Sequence, residues 1–595
     1  MMNNPDVHFQ FASFFPEPRL RPYAYLLSKK MQEGHICVHE ADVRAQLKDT
    51  PFEEAELKTP LSSLSKFVAS GENQILPFVV YNQRLYLQRY FNYETQILNR
   101  IKGFIAAEIS CQQERLQALK TQQGILEKFQ ADYSLDALPE EEKVDWQMVA
   151  LIQSVLHNFS IVTGGPGTGK TTTVAKILAV LLYLNPACKI ALCAPTGKAA
   201  MRMAESLKNT NLPVDDNIKT VLKNLSPNTI HRLLRYVPES INFKHNRDNP
   251  LPYDVLVVDE ASMLDVALFA KLMEAVGANT RIILLGDKNQ LASVEAGSLF
   301  GDLCRAQDSN LLFSEISIQN INSFIPDSER QLKPRHIGQS DHPLFAHVVE
   351  LQKSHRFSSG SGIGKLSRAI IQNDETALKE FIETPYAGIG LIDHKDQSGF
   401  EAFIEGYADY IKESDVAKAL DKFNQLRVLC AVREGAQGLY SLNKAIETYL
   451  SKKNLINPSN DYYENRPIII TKNYPDLKLF NGDVGLVRKD GAGNMRAWFE
   501  DSEKNIRSVM PGYIAHAETV FAMTIHKSQG SEYPKVLVVL PEASGTQLLT
   551  RELLYTAVTR AKESLVLQCS AAVMRSTCAQ GVSRTSGIVE RLKEN

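Results

Sequence analysis

Gly164-Gly165-Pro166-Gly167-Thr168-Gly169-Lys170-Thr171 has the spacing G-x-x-x-x-G-K-[ST]. An apolar run at 160–163 precedes it, and Val174, Ile177, Leu178 and Leu181 follow at helical spacing. A strand, a glycine-rich turn and a helix in that order form a phosphate cradle. The glycines let backbone N–H groups wrap an anion, and the helix N-terminus adds positive potential. Gly164 to Thr172, including Pro166, Thr168 and Thr172, are therefore expected to bind the phosphates of ATP. Lys170 is expected to reach the β- and γ-phosphates and Thr171 to ligate Mg2+.

The neighbouring apolar runs extend this reading. Residues 255–258 read as a buried strand ending in Asp259-Glu260. Strand ends in such sheets face the ligand crevice, so Asp259 is placed to hold Mg2+ through water and Glu260 to polarise the attacking water. Residues 281–285 form another strand and lead to Gln290, a candidate γ-phosphate sensor. With 160–163 and 189–193 these runs predict a parallel sheet covered on both faces. A second set at 388–392, 427–431, 535–540 and 564–568 predicts a second such sheet. The expected fold is α/β, with two similar lobes that resemble RecA-like P-loop NTPase domains. The first lobe spans 106–345, with an aperiodic insertion at about 305–345, and the second spans 346–595. Short strands at 467–471, 482–488 and 495–499 predict a small β insertion at about 440–515.

Residues 1–105 read as a small N-terminal α+β domain, expected either to dock a partner or to stabilise the rest of the chain. Helices are expected at 20–33 and 41–48, and strands 75–81 and 84–88 join at Asn82-Gln83. Helices followed by a hairpin resemble a winged helix. Leu61, Leu64, Phe67 and Val68 are expected to pack beneath the hairpin, with Tyr81, Leu85 and Tyr86 offered to a partner. The basic residues Arg19, Arg21, Lys29 and Lys30 keep DNA binding open. A helical stretch at 91–130 follows, ended near Ala137-Leu138-Pro139.

The net charge of −2 excludes a chain that is basic throughout, so any DNA site must be a local groove. None of the eight cysteines forms a C-x-x-C pair, which points to buried reduced thiols rather than a metal ribbon or disulfide framework. The opening residues lack the pattern of a secretory leader, and no run reaches about 18 apolar residues. A cytoplasmic protein is expected.

Further segments carry a resemblance. Asp259-Glu260-Ala261-Ser262-Met263 and Leu285 to Leu291 are similar to superfamily 1 helicases. Ala194 to Ala200, Thr229 to Leu234, Leu351 to Phe357, Thr524 to Glu532 and Tyr555 to Lys562 narrow it. In this order, over about residues 145–570, they resemble the RecD family, the alpha subunits of RecBCD enzymes (exodeoxyribonuclease V). The resemblance implies that Gln147 holds adenine and that Arg356 and Arg560 act as arginine fingers. It implies that Gln529, Gly530 and Glu532 touch nucleotide from the second lobe. Thr196, Lys198, His231, Arg232, Thr524, His526 and Lys527 are the candidate contacts to single-stranded DNA, with polar and basic groups suited to phosphates and bases. The implied activity is ATP-dependent 5′→3′ DNA translocation at duplex ends, in break repair and recombination, beside RecB-like and RecC-like subunits. Any nuclease activity would belong to that assembly. A stand-alone 5′→3′ helicase, an RNA helicase and a non-catalytic assembly subunit are the competing readings.

Overall fold

The computed structural model describes residues 6–48, 50–52, 66–136, 138–240, 242–293, 295–306, 309–357, 361–501, 504–542 and 547–594. Leu61, Leu64 and Ala137 lie outside them. Two parallel sheets organise the chain. In the first, Phe159–Gly164 lies between Val348–Leu351 and Arg281–Gly286, followed outward by Val255–Val258, Ile190–Ala194 and the edge strand Asn228–Thr229. In the second, Ile389–Ile392, Ala561–Gln568, Tyr533–Val539, Leu426–Cys430 and Ala522–Thr524 lie in that order.

Alternate residues of the first sheet enter two different cores. Val162, Val257, Ile283 and Leu285 pack with the helices Trp146–Leu156 and Lys170–Leu184. Ile161, Leu256, Val258, Ile282 and Leu284 pack with Gln88–Glu108 and Val266–Ala275. Both faces are covered, as short apolar parallel strands require. This is the expected α/β architecture with two RecA-like lobes.

Three boundaries differ from the sequence expectation. The strand Val348–Leu351 pairs in parallel with Phe159–Gly164, so the first lobe runs past residue 345. The stretch 305–345 is not an excursion, because Phe313, Ile321, Phe324 and Ile325 are buried in the first-lobe core. The cut at 105 falls inside the helix Gln88–Glu108, whose Ile97, Leu98, Ile101 and Phe104 are buried in that lobe. Each such burial contributes about 1.5–3 kcal/mol. The β insertion begins later than expected: Leu439–Lys452 is a helix of the second-lobe core, and the antiparallel sheet spans Pro467–Ile470 to Ala517–Thr519.

The N-terminal module has four strands, including the hairpin Phe78–Tyr81 and Arg84–Leu87. Its turn residues Asn82 and Gln83 have φ of 46° and 58°, the twist that tight hairpins prefer. Phe78 and Leu85 face the helices Val7–Ser13 and Arg21–Gln32, whereas Val79 and Tyr86 pack on Phe91. Leu85 and Tyr86 are therefore interior residues, and the hairpin does not offer them to a partner. Among the described residues of this module, the exposed large apolar side chains are Val7, Phe9, Phe14 and Ile75.

The C-terminal segment leaves the second lobe and returns to this module. Ile36 N donates to Thr585 O (3.1 Å), and Arg584 Nη1 donates to Gly297 O (2.7 Å). The short helix Ile588–Leu592 buries Ile588 and Leu592 in the first-lobe core. Arg591 lies 3.2 Å from Glu94, with side chains 4% and 0% exposed. Burial pushes the Glu94 carboxyl up, and the Arg591 guanidinium opposes that shift. Removing one member of such a pair strands a buried charge, at a cost of about 3–5 kcal/mol. Arg591→Met is expected to lose about that much stability in urea unfolding, and adding Glu94→Leu should restore part of it. An Arg591→Met protein as stable as the parent would show that the tail does not hold the module.

Candidate nucleotide and nucleic-acid site

The strand Phe159–Gly164 is buried throughout and delivers the chain to the glycine-rich loop. The helix Lys170–Leu184 follows with Gly169 at its N-cap in the left-handed region, φ 83°, and no side chain caps it. Elsewhere in this lobe Thr196, Thr229 and Asp265 cap their own helices. The uncapped start leaves the first-turn N–H groups directed at the cleft. Lys170 Nζ donates to Gly164 O (2.6 Å) and Gly165 O (3.1 Å), folded over the loop it serves.

The glycines are required for packing as well as for φ. A Cβ on Gly167 would collide with Arg356 Cβ, and one on Gly169 with Gln147 Nε2. Arg356 and Gln147 therefore lie against the loop. Ser354 Oγ donates to Pro166 O (2.9 Å) and His355 N to Gly167 O (2.8 Å), which seats the segment after Val348–Leu351 on the loop. Gln147 Nε2 donates to Thr168 O (3.2 Å), and its Oε1 accepts from Lys176 Nζ (3.1 Å).

These residues line a cleft of about 950 Å3. Pro166 to Thr172 form one wall, with Asp259, Glu260 and Gln290 beside them and Arg356, Glu532 and Arg560 across from them. Burial, and then the adjacent Glu260, push the Asp259 carboxyl up, while Lys170 pulls it down. Glu260 has φ of 50°, a strain on the order of 1–3 kcal/mol for a residue with a Cβ. Gln290 Nε2 donates to Asp287 Oδ2 (3.1 Å).

From the second lobe, Arg356 Nη1 lies 2.8 Å from Glu532 Oε1 without a hydrogen directed along that line. Arg202 and Lys562 approach the same carboxylate at 3.7 and 3.6 Å. Burial raises the Glu532 carboxyl, but Arg202, Arg356, Arg560 and Lys562 together hold it below its ordinary value. Arg560 is buried and donates to Thr556 O (3.0 Å) and Ser531 O (3.1 Å). Gln529 and Gly530 are not among the lining residues. Gln529 Nε2 instead donates to Leu291 O (3.0 Å), bridging the lobes, and Gly530 has φ of 68°.

Residues that sequence reasoning missed include Arg202, Lys176, His355 and Tyr555. Arg202 stands one helical turn after Lys198, so i,i+4 spacing could have found it. Tyr555 donates to Asp287 Oδ2 (2.9 Å) across the lobes, a contact with no local signal.

The nucleic-acid candidates form two sets. Ile190–Ala194 and Asn228–Thr229 are neighbours, with Ala194 opposite Thr229. The stretches carrying Thr196, Lys198, His231 and Arg232 thus leave the same edge of the first sheet. Thr196 Oγ1 caps Ala199 N (3.2 Å), and burial lowers Lys198. His231 and Arg232 are exposed. The second set follows the edge strand Ala522–Thr524. There Thr524 Oγ1 accepts from Lys527 N (3.3 Å), burial lowers His526, and Lys527 Nζ donates to Glu518 (3.0 Å).

Gly169→Ala places a side chain at positive φ against Gln147. It is expected to cut ATP hydrolysis by about 10²-fold or more while circular dichroism stays unchanged. A variant with parental turnover would show that the loop adopts another geometry when it works.

This chain is similar to several known proteins. The family described as "AAA domain" matches residues 147–296, and "UvrD-like helicase C-terminal domain" matches 519–568. The RecBCD enzyme subunit RecD of Haemophilus influenzae is 34% identical, over 89% of this chain and 83% of its own. That of Mycobacterium tuberculosis is 37% identical, over 75% and 72%. A solved pair of Pif1 helicases at forked DNA is 15% identical, covering 72% of this chain and 93% of its own, with a TM-score of 0.36. Long coverage of relatives above 30% identity, together with one cleft built from both lobes, means that the chain belongs to the RecD family of superfamily 1 helicases.

Proposed function

We propose that this chain is an ATP-dependent DNA helicase that moves 5′→3′ along single-stranded DNA as a subunit of a RecBCD-type complex in the cytoplasm. The supporting observation is the cleft in which the phosphate loop, the Asp259-Glu260 pair and guanidinium groups of the second lobe meet. Lys170 would leave the loop carbonyls for the β- and γ-phosphates of ATP. Thr171 and Asp259 supply the oxygen ligands that suit Mg2+, a cation that neutralises charge on the transferred phosphoryl group. Glu260 orients the attacking water. Arg356, held loosely by Glu532, turns to the γ-phosphoryl group, and Arg560 approaches from its buried seat. Gln147 meets the base. Closure of the lobes on ATP and release after hydrolysis would shift a strand held by the two basic edges.

Among the described residues no helix is long and apolar enough to cross a membrane. A stand-alone helicase is the second reading, supported by the ATP-dependent RecD2 DNA helicase of Deinococcus radiodurans. That relative is 28% identical, over 75% of this chain and 52% of its own. The lower identity and shorter coverage favour the subunit.

Lys170→Ala should abolish DNA-stimulated ATP hydrolysis and weaken ATP binding. Glu260→Gln should abolish hydrolysis and leave binding intact. Arg356→Ala should lower turnover by about 10³-fold with little change in nucleotide affinity. Turnover close to parental in any of the three would refute the assigned role.

Partner docking is assigned to the N-terminal module, through Phe9, Phe14 and Ile75 rather than the hairpin. Deleting 1–105 would also remove buried residues of the first lobe. The cleaner test is Phe9→Ser with Phe14→Ser, coexpressed with RecB-like and RecC-like subunits and resolved by size exclusion. Loss of coelution with ATPase activity preserved is the expected result; normal stoichiometry would refute docking there.

A further inference from the structure

At the end of the first sheet opposite the phosphate loop, three side chains meet that the nucleotide cleft does not use. His157 precedes the strand Phe159–Gly164, and His347 precedes its parallel neighbour Val348–Leu351. Glu108 ends the helix that carries the N-terminal module. Their exposures are 7%, 5% and 1%. One ligand atom from each lies within 4.8 Å of the others.

The bonding around this point is incomplete. His347 Nδ1 donates to Phe159 O (2.8 Å). A carbonyl can only accept, so in a neutral ring the proton sits on Nδ1 and Nε2 carries a lone pair. That lone pair lies 3.4 Å from Glu108 Oε1, itself an acceptor when ionised. His157 Nε2 lies 3.9 Å from the same oxygen, and His157 Nδ1 has no hydrogen-bond partner. The two imidazoles overlap, with centroids 4.2 Å apart, which disfavours charging both, and burial lowers both. Burial pushes the Glu108 carboxyl up to about 7, and the Asn158 N–H (2.6 Å), Arg115 and Arg281 oppose that rise. The lone pair of His347 Nε2 and the Glu108 carboxyl thus meet at a buried point, with His157 Nε2 beside them. One shared proton bridges two of the three groups at most.

We propose that Glu108, His157 and His347 hold one divalent transition-metal ion at a buried three-ligand site, with Zn2+ the best match. Two nitrogens and one carboxylate oxygen are a borderline-soft set that suits Zn2+ better than Mg2+ or Ca2+. Ligands about 2.0–2.1 Å from a tetrahedral ion are separated by ~3.3 Å; Glu108 and His347 already stand 3.4 Å apart, and His157, at 3.9 Å, must draw closer to bind. The His347 bond to Phe159 O is the outer contact that fixes a metal-binding tautomer. The ion would pin the end of Gln88–Glu108, and through it the N-terminal module, to the two central strands of the motor.

The test uses the purified full-length chain, stripped with a chelator, supplied with Zn2+ or Co2+ and desalted. Elemental analysis should find one ion per chain, and the melting temperature should rise on reloading. Co2+ should give tetrahedral visible bands without thiolate charge transfer. His347→Gln and Glu108→Gln should lose the ion, while Lys170→Ala, in the other site, should retain it. If those two variants fail to fold, stoichiometry and the Co2+ spectrum of the parent decide the matter. Binding below about a tenth of an equivalent, a thiolate band, or full retention by a folded His347→Gln or Glu108→Gln chain would overturn the proposal.

Discussion

Asp287 is the joint on which the arrangement of the two lobes depends. It follows the strand Arg281–Gly286 and is 1% exposed. A carboxylate so deep in protein needs donors. It receives Asn289 N (3.0 Å), Gln290 Nε2 (3.1 Å) and, from the second lobe, Tyr555 Oη (2.9 Å). Four residues on, Leu291 N donates to Thr556 Oγ1 (2.9 Å) and Leu291 O accepts from Gln529. The loop that presents Gln290 to the cleft is therefore also the seam between the lobes. A shift of Gln290 would alter the donor set of Asp287, and with it the seat of the helix Arg551–Val558 that leads to Arg560. Coupling of this kind needs only a small preference of each nucleotide state for one donor arrangement.

A second constraint is the path of the chain. It crosses from first lobe to second after Leu351 and returns through the C-terminal segment, which ends on the N-terminal module. Lobe closure must respect both connections. Arg584, Thr585 and Arg591 all bond to residues outside the second lobe. The N-terminal module is thereby built into the frame of the two lobes and joined to the first through the helix Gln88–Glu108.

Much of the fold was legible because its signals are local. The eight apolar runs expected for the two sheets all became strands within a few residues of their expected ends. The loop with Lys170, the Asp259-Glu260 pair and Gln290 follow such runs, and a parallel sheet places their ends along one edge. Arg356, Arg560 and Glu532 are legible only through family resemblance, because no spacing shows that segments so far apart in sequence share a cleft. The hairpin is legible in the sequence, but the burial of its Leu85 and Tyr86 is not. A strand with both faces buried and one with a partner-facing side carry similar apolar residues.

What the sequence determined by itself was chemistry that a short stretch can carry: a phosphate loop, strand-end carboxylates and the alternation that buries a sheet. Tertiary structure alone decided the rest. It put Val348–Leu351 into the first sheet, packed 305–345 into its core and folded the C-terminal tail onto Glu94. It also brought Glu108, His157 and His347 together and set Tyr555 on Asp287. The physical reason is the same in each case. Backbone pairing and buried polar contacts are satisfied by whichever partner the packed chain supplies, and that partner is distant in sequence.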